Sequence, residues 1–371
     1  MQFRDVIGQN EIKSRLLKSV RDGRIGHAQL FYGAPGVGKL PLALAFAQYI
    51  SCTDRKEDDS CGECPSCKKY SKLIHPDLHF VFPVIKVDKV TLCESFIKDW
   101  REFVLENPYF SYDMWLNRMN AENKQAIIYS EESAEIIKKV NFKPYESDYK
   151  IVIIWLPEKM HATGANKLLK FLEEPSPFTI FLLVSENPDQ LLKTIYSRTQ
   201  PVKIPGISRK DIAKALSEKG DLPDTAENIA KLADGSIISA MEIIEESEQN
   251  THNLELFINL MRLAYGKKIV ELVKWVDEVA KSGREKQKSF LQYSLRMVRE
   301  NFVMNRNEPE IMYLRKKELD FSSRFHPYIN DSNADGLYKE FSDAHYNIER
   351  NGSAKIIFFD LCVKLILLFR K

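Results

Sequence analysis

A glycine-rich stretch near the N-terminus has the spacing GxxxxGK of a phosphate-binding loop. Gly33, Gly36 and Gly38 let the backbone curl until several N–H groups point inward, and Lys39 adds a positive charge. The next residue of such a loop should be Ser or Thr, whose hydroxyl holds Mg²⁺. Here it is Leu40, which has no oxygen. The loop therefore predicts a nucleotide-binding fold that is used for something other than hydrolysis.

A second acidic site should complete the metal site of such a fold. In ATPases of this kind an apolar strand ends in Asp-Glu, where the Asp supports Mg²⁺ and the Glu orients the attacking water. The apolar run 150–154 is typical of a buried parallel strand, but Trp155 and Leu156 follow it. Glu158 lies two residues after Leu156, so the chain would have to displace it before its carboxylate could replace the missing acid pair. Because both lost groups would act on one ion, their joint loss argues against catalysis.

Lys39 leaves two interpretations open. Its amine could bind phosphate weakly without Mg²⁺, or it could pair with a nearby acidic side chain. ATP binding by this chain is therefore doubtful.

Cysteines form the second chemical motif. Cys52, Cys61, Cys64 and Cys67 have the spacing C-x8-C-x2-C-x2-C, and a two-residue spacer lets two sulfurs face one ion. Four thiolates leave no open position on the metal, so we expect a structural zinc that supplies folding energy to a polar loop. A disulfide cluster is the alternative, and nothing in the sequence indicates an oxidising compartment. Cys93 and Cys362 lie in apolar surroundings and are expected to be core residues.

Composition describes an ordinary soluble protein. The chain has 371 residues, 44% apolar and 29% charged, with a net charge of +2, so we expect two or three domains and find no global electrostatic argument for nucleic acid. The N-terminus lacks the apolar stretch of a secretory signal. The apolar segment 356–369 is short for a membrane span and contains Asp360 and Lys364. We therefore expect a cytoplasmic protein with no membrane contact.

Strand and helix patterns alternate in the first half of the chain, as in a parallel sheet with crossover helices. Residues 96–120 interrupt the pattern with many aromatic side chains; we favour a helical hairpin packed by its own rings, and a platform for stacking bases is the alternative. A strong helix is expected before Pro175. Strands are expected at 29–32, 78–83, 126–130, 150–155 and 180–185.

Helical patterns dominate from residue 208 onward. Three short helices are expected at 208–216, 225–233 and 237–246, and long helices from 254 to the end with an irregular stretch at 305–329.

Several segments in a fixed order carry a family resemblance. They resemble the clamp-loader subunits of bacterial DNA polymerase III, which are ATPases of the AAA+ class. The resemblance covers roughly the first 240 residues, and the last third matches only in length and helical character. The segments are 3–9 (FRDVIGQ), 27–31 (HAQLF), the cysteine group after the phosphate loop, 166–175 (NKLLKFLEEP) and 192–198, which ends in Ser197-Arg198.

The resemblance implies a fold and its division. It implies an α/β AAA+ domain at 1–204, a parallel sheet with flanking helices and an inserted zinc module near 52–67. The resemblance also implies a small helical lid at 205–248. An all-α C-terminal collar domain at 249–371 would follow and would hold the subunits together.

Within that family, the ATP site distinguishes types of subunit. Active loaders keep the hydroxyl and the acid pair that Leu40, Trp155 and Leu156 replace, and they carry a lid arginine where this chain has Ile238. The resemblance therefore implies a non-hydrolysing subunit. The alternative is an active DNA-dependent ATPase of the gamma/tau type. A third reading, a zinc-dependent DNA-binding regulator, is disfavoured because acidic residues near the cysteines cancel the lysines there.

One catalytic element is kept. Ser197 and Arg198 match the first two residues of the family's Ser-Arg-Cys motif, and Thr199 replaces the Cys. In loaders that arginine acts in trans on the ATP of the neighbouring subunit, since a guanidinium stabilises charge on a transferring phosphoryl group. From the sequence alone a solvated surface arginine is the simpler reading. The implied partners are gamma/tau and delta subunits, the sliding clamp indirectly, and primed DNA within the complex.

Overall fold

A computed structural model describes residues 1–86, 91–121, 124–174, 177–218, 223–306, 314 and 316–370. The chain forms two compact units, Met1–Ile243 and Ile244–Lys371, each with its own hydrophobic core. The division at residues 204 and 248 that the sequence predicts stays a prediction, and the predicted helix end at Pro175 lies outside the described residues.

A five-stranded sheet forms the core of the first unit. All its pairings are parallel, and the strand order is β2-β3-β4-β1-β5. Every residue of β3 and β4 is buried, as expected for apolar strands covered by helices on both faces. The strands are β1 (Ala28–Tyr32), β2 (Leu78–Val81), β3 (Lys150–Trp155), β4 (Thr179–Ser185) and β5 (Gln200–Lys203).

Helices flank this sheet and make up the second unit. Those that begin in the first unit are α1 (Asn10–Arg21), α2 (Lys39–Ser51), α3 (Pro65–Tyr70), α4 (Ile97–Glu106), α5 (Tyr112–Arg118), α6 (Ser130–Asn141), α7 (Ala162–Glu173), α8 (Lys193–Tyr196), α9 (Arg209–Glu218), α10 (Pro223–Leu232) and α11 (Ile237–Tyr265). The others are α12 (Ile269–Lys281), α13 (Arg284–Asn305), α14 (Lys316–Phe325), α15 (Ala334–Glu349) and α16 (Ala354–Leu368). The fold class predicted from the sequence, a parallel α/β sheet with a helical C-terminal part, is confirmed.

Register brings the carboxyl ends of three strands together. Tyr32 at the end of β1 pairs with Ser185 of β4, and Trp155 at the end of β3 pairs with Val184. The segments that leave these strands therefore meet at one edge of the sheet. This is the edge where parallel α/β sheets place their ligand sites.

The strand predicted at 126–130 is wrong. Ile127 makes an isolated antiparallel bridge with Val84, and Ile128 makes an isolated parallel bridge with Met160. Helix α6 begins immediately afterwards, at Ser130. Ala126 and Ile128 are buried, but the backbone of the run bonds to two different partners and extends no ladder.

An edge strand escaped the sequence analysis. Strand β5 pairs only with β1, and three of its four residues are exposed. In the sequence Pro201 suggests a break rather than a strand. An edge strand tolerates proline, however, where no neighbouring strand needs its N–H as a hydrogen-bond donor.

The aromatic segment 96–120 forms α4 and α5, the predicted helical hairpin. Trp100 and Trp115 are fully buried, with ring centroids 5.2 Å apart. Trp100 also stacks on Phe82, 4.2 Å away, and lies 5.2 Å from Trp155. The hairpin thus packs against the sheet as well as against itself, and these buried rings are not available to stack on bases.

The described part of the C-terminal unit is mainly helical, as predicted, and packs around Phe257, Phe290, Phe341 and Phe358. The irregular stretch predicted at 305–329 is wrong over Lys316–Phe325, which form helix α14. Cys362 is buried there, and Cys93 is buried in the first unit, so both are core residues as expected. Among the described residues, no helix is both long enough and apolar enough to span a membrane.

Candidate functional site: the phosphate loop, the cysteine cluster and Arg198

The phosphate loop connects β1 to α2 at the carboxyl edge of the sheet. Gly36 and Gly38 have φ of 78° and 90°, a left-handed conformation that favours glycine. Gln9 helps to fix the loop, since its side-chain amide donates to the carbonyl oxygen of Val37 at 3.0 Å and to that of Pro205 at 2.7 Å. The loop has the curled shape that its glycine spacing predicts.

Lys39 points into the protein and is almost fully buried. Its amine donates to the carbonyl oxygen of Ala34 at 2.6 Å and lies 4.0 Å from a carboxylate oxygen of Glu186. Burial lowers the pKa of Lys39 from 10.5 to about 8, although the carboxylates of Glu186 and Glu158 act in the opposite direction. The sequence left open whether Lys39 binds phosphate or pairs with an acidic side chain, and in the structure it lies next to the acidic side chain of Glu186.

Glu186 follows β4 and was not singled out from the sequence. Burial raises the pKa of this carboxyl, while Lys39 opposes that rise. Both members of the pair are thus pushed toward their neutral forms, because at 4.0 Å their attraction does not offset the loss of hydration. Such a pair weakens the positive charge that the loop would present to a phosphate.

Apolar side chains fill the positions where a metal site would need oxygen ligands. Leu40 and Trp155 are both buried, with 4% and 3% of their surface exposed. The Trp155 ring lies 5.0 Å from Phe110. Glu158, the displaced candidate acid, accepts hydrogen bonds from the backbone N–H groups of Glu186 at 2.8 Å and Asn187 at 3.1 Å. One of its oxygens therefore holds the segment after β4.

Tyr109 lies against the loop from the side of the aromatic hairpin. A β-carbon at Gly38 would lie 3.3 Å from a ring carbon of Tyr109 and 3.4 Å from its hydroxyl oxygen. The hydroxyl accepts a hydrogen bond from the backbone N–H of Ile7 at 2.8 Å. Burial raises the pKa of Tyr109 to about 12, so the phenol is neutral.

The segment that begins α11 closes the loop from another side. The backbone N–H of Ile237 donates to the carbonyl oxygen of Gly36 at 3.0 Å. A β-carbon at Gly36 would lie 2.1 Å from the Ser236 hydroxyl and 2.9 Å from the backbone nitrogen of Ile238. Ile238, where the sequence resemblance leads us to expect an arginine in active loaders, is buried and lies next to Gly36. The remaining cavity at the loop measures about 20 Å³.

The four clustered cysteines come together between α2 and α3. Their sulfur atoms all lie within 4.8 Å of one another, with 3.6 Å from Cys52 to Cys61 and 3.9 Å from Cys61 to Cys67. Tetrahedral ligation at about 2.3 Å requires sulfurs about 3.8 Å apart. None of the four forms a disulfide. Backbone N–H groups of Cys64 and Cys67 point at the sulfurs of Cys61 and Cys64 at 3.3 and 3.4 Å, which suits thiolate ligands.

Arg198 follows the short helix α8. Its Nε donates to a carboxylate oxygen of Glu173 at 2.5 Å, and a second nitrogen also contacts this oxygen. A further nitrogen donates to the carbonyl oxygen of Thr194 at 3.0 Å and to the Ser197 hydroxyl at 3.2 Å. The guanidinium is held in one orientation while a third of the side chain stays exposed. None of these contacts involves the phosphate loop.

The sequence reasoning missed Tyr109, Phe110 and Glu186 at the loop and Glu173 at Arg198. Spacing carried no signal for the first two, which lie about seventy residues beyond the loop. Glu186 had a usable signal, because it is an acidic residue directly after a buried strand.

Comparison with known proteins gives the family. The model of the family described as "DNA polymerase III, delta subunit" matches residues 8–208, which is more than half of the chain. The chain belongs to this family. The clamp-loader family inferred from the sequence motifs is thereby confirmed.

Individual relatives include two kinds of subunit. DNA polymerase III subunit delta' of Bacillus subtilis (strain 168) is 29% identical over 243 residues, which cover 64% of this chain and 61% of the relative. DNA polymerase III subunit tau/gamma of Haemophilus influenzae is 27% identical over 251 residues, 66% of this chain and 30% of the relative. This chain thus matches less than two thirds of the length of these relatives. The comparisons do not choose between the two kinds of subunit.

A solved structure also aligns with the chain. It is a DNA polymerase III gamma subunit-related protein from Thermotoga maritima, with 15% identity, a TM-score of 0.40, and coverage of 96% of this chain and all of that one.

Proposed function

We propose that this chain is a clamp-loader subunit of the delta-prime type, which helps to load the sliding clamp onto primed DNA without hydrolysing ATP itself. The observation that carries the proposal is that apolar side chains occupy the two positions of the phosphate-loop site where metal ligands are expected. Leu40 and Trp155 are buried where oxygen ligands for Mg²⁺ are needed, and Lys39 is paired with Glu186. Neither Leu40 nor Trp155 can supply an oxygen ligand for a metal-assisted phosphoryl transfer.

The active gamma/tau type is the second candidate, because a relative of that name matches 66% of the chain and the delta' relative matches 64%. It requires ATP turnover by this chain. Leu40, Trp155 and Ile238 argue against it, since all three are apolar and buried at the loop.

We further propose that Arg198 serves a neighbouring subunit. The geometry that supports this is a guanidinium held by Glu173, Thr194 and Ser197 and still partly exposed. Such a group can reach a phosphate on another chain with little loss of side-chain freedom. The partners we propose are gamma/tau and delta subunits, with the clamp and primed DNA reached through the complex.

Zinc is the proposed cofactor of the cysteine cluster, where it would be structural. Four sulfurs at nearly tetrahedral spacing, with N–H groups pointing at them, support it. For the helices we propose that 205–248 act as a lid and 249–371 as a collar.

The test of the proposal is Arg198→Ala in the reconstituted loader. We expect the variant to assemble and to lower steady-state ATP turnover and clamp loading on primed DNA. An arginine finger contributes a factor on the order of 10³ or more at its own site. The total decrease will be smaller, because other sites have their own fingers. Arg198→Lys should restore activity only in part, since an ammonium lacks the planar fork.

Arg24→Ala is the matched control, because Arg24 is an exposed arginine on the loop after α1. It should leave turnover unchanged. Wild-type turnover by an assembled Arg198→Ala complex would contradict the role in trans, and this chain would then be a scaffold.

A further inference from the structure

The protein's own side chains leave little space in the phosphate-loop pocket. Its cavity of about 20 Å³ is lined by loop residues and by Pro108, Tyr109, Phe110, Trp155 and Glu186. A single water needs about 10–15 Å³ of such volume, whereas sites for organic ligands measure about 300–1,000 Å³. The cleft enclosed at the loop therefore has room for about one water, which is far less than a pocket that encloses an organic ligand.

The filling comes from the segment between α4 and α5. Tyr109 and Phe110 are 8% and 5% exposed, so both rings are removed from water. The Tyr109 ring lies beside Gly38, so close that a β-carbon at Gly38 would be 3.3 Å from a ring carbon. Phe110 packs 5.0 Å from Trp155 and 4.6 Å from Phe103. An anion that approaches Gly38 and Lys39 from this side meets the Tyr109 ring first.

Polar contacts hold Tyr109 in that position. Its hydroxyl accepts from the N–H of Ile7, and its own N–H donates to the side-chain oxygen of Asn107 at 3.0 Å. The neutral phenol needs no counter-ion. The segment is thus fixed at the N-terminal region on one side and in the aromatic core on the other, and its position does not depend on any charge in the loop.

On these grounds we propose that Tyr109, supported by Phe110, is the intrinsic occupant of the phosphate loop: the chain's own side chain takes the place of a nucleotide, excludes it, and holds the loop in its folded shape. This proposal deepens the proposed function and rests on it. It adds a reason for inactivity that the loss of metal ligands does not give, because a loop without metal ligands could still bind ATP. On this proposal the phosphate loop of the isolated chain binds no nucleotide.

Binding of ATP and of inorganic pyrophosphate to the isolated full chain, measured by calorimetry, tests the proposal. The buffer should contain no chelator, since a chelator would strip metal from the cysteine cluster. We expect no binding to the wild type at millimolar ligand. Tyr109→Ala opens the space over Gly38 and should bind at least about tenfold more tightly. Adding Lys39→Ala to that variant should remove the binding again, because Lys39 supplies the charge.

Two matched variants separate opening of the pocket from loosening of the core. Tyr109→Phe keeps the ring over Gly38 and should still exclude both ligands. Phe103→Ala removes a ring from the same aromatic cluster without uncovering the loop, because Phe103 contacts Phe110 and Trp115 rather than the glycines. Wild-type binding as tight as that of Tyr109→Ala would overturn the proposal, and so would a folded Tyr109→Ala that gains no binding.

Hydrogen exchange on the wild type keeps the proposal testable if Tyr109→Ala does not fold. Peptides that cover residues 33–42 should be protected without ligand and unchanged by ATP. Free exchange that ATP suppresses would overturn the proposal. Both tests use the isolated chain, so nucleotide binding without turnover would reject the intrinsic occupant and leave the non-hydrolysing role in the complex intact.

Discussion

The Lys39 amine loses its hydration on folding, and this loss makes the stability of the fold depend on pH. The amine is buried beside Ala34 and 4.0 Å from Glu186, and burial holds its pKa at about 8. Between pH 8 and 10.5 the unfolded chain therefore binds more protons at this residue than the folded chain does. The free energy of unfolding rises with pH across that window, and the penalty for burying the charge is fully present below it.

Lys39→Met is predicted to change the stability of the isolated chain differently at pH 7 and at pH 10. It removes the penalty for burying the ammonium, which is present at pH 7 and small at pH 10, and at both pH values it leaves Glu186 without its partner, so the change at pH 7 should be more favourable than the change at pH 10 by about 1–3 kcal/mol. Urea denaturation at the two pH values measures both. The control is Lys214→Met, whose side chain is 76% exposed and which should change little at either pH. A change that is equal at both pH values would show that the charge of Lys39 is not its source.

Arg198→Ala is predicted to change the stability of the isolated chain by less than about 1 kcal/mol. Its pair with Glu173 lies at the surface, and such pairs are worth about 0–1 kcal/mol. Trp155→Ala provides the contrast, because a fully buried ring of this size costs about 3–5 kcal/mol on removal. Thermal and urea unfolding measure both. A large loss for Arg198→Ala would mean that the residue supports the fold and would change how its effect on turnover is interpreted.

Residue types with fixed spacing were predictable, and contacts between distant segments were not. The GxxxxGK spacing and the cysteine spacing each describe a local geometry, and the structure contains the curled loop and the four gathered sulfurs. Tyr109 reaches the loop only because the aromatic hairpin packs on the end of β3. Nothing in the residues near either segment specifies that packing.

At the scale of elements, burial on both faces made the central strands predictable. Strands β3 and β4 are continuous apolar runs, whereas β5 is an edge strand with Pro201 and few buried side chains. Ala126 and Ile128 of the run 126–130 are buried, but its partners Val84 and Met160 belong to different segments. A run of apolar residues in the sequence predicts that the segment is buried. Whether the segment forms a strand depends on the backbone with which it pairs.

The cysteine module is an element that we expect to depend on metal. We predict one tightly bound zinc per chain, and Cys64→Ser should release it and unfold residues 52–67 while the sheet keeps its far-ultraviolet signal. The reason is that the module has no core of its own, whereas the sheet does. Elemental analysis and hydrogen exchange measure the two effects. Cys362→Ala, a buried cysteine of the C-terminal unit, should retain the zinc.

The N-terminus should respond to loss of that metal. The carboxylate of Asp59 accepts hydrogen bonds at 3.0 Å from the backbone N–H groups of Phe3 and Arg4, and the carbonyl oxygen of Ser60 accepts one at 2.6 Å from Gln2. Exchange at residues 3–5 should therefore rise together with that of the module. A metal-free protein with full protection at 52–67 would refute the zinc prediction.

At the scale of the whole molecule, the isolated chain is predicted to have no significant ATPase activity. Metal ligands are absent at Leu40 and Trp155, and the pocket beside them is filled. Steady-state turnover of the rigorously purified chain measures this. Turnover at the rates of an active loader would contradict the prediction if Lys39→Ala abolished it, and turnover that persists in Lys39→Ala would indicate a contaminating enzyme.

The aromatic packing at the phosphate loop has an optical consequence. The chain has four tryptophans, and three of them lie in this cluster, with Trp100 5.2 Å from both Trp115 and Trp155 at interplanar angles of 87° and 46°. Indole transitions this close and this inclined couple strongly, so their near-ultraviolet circular dichroism depends on fixed packing. Trp275 lies in the other unit. The tryptophan part of the near-ultraviolet spectrum should therefore come largely from this cluster, and it should report a movement of Trp155 at the phosphate loop without an added probe.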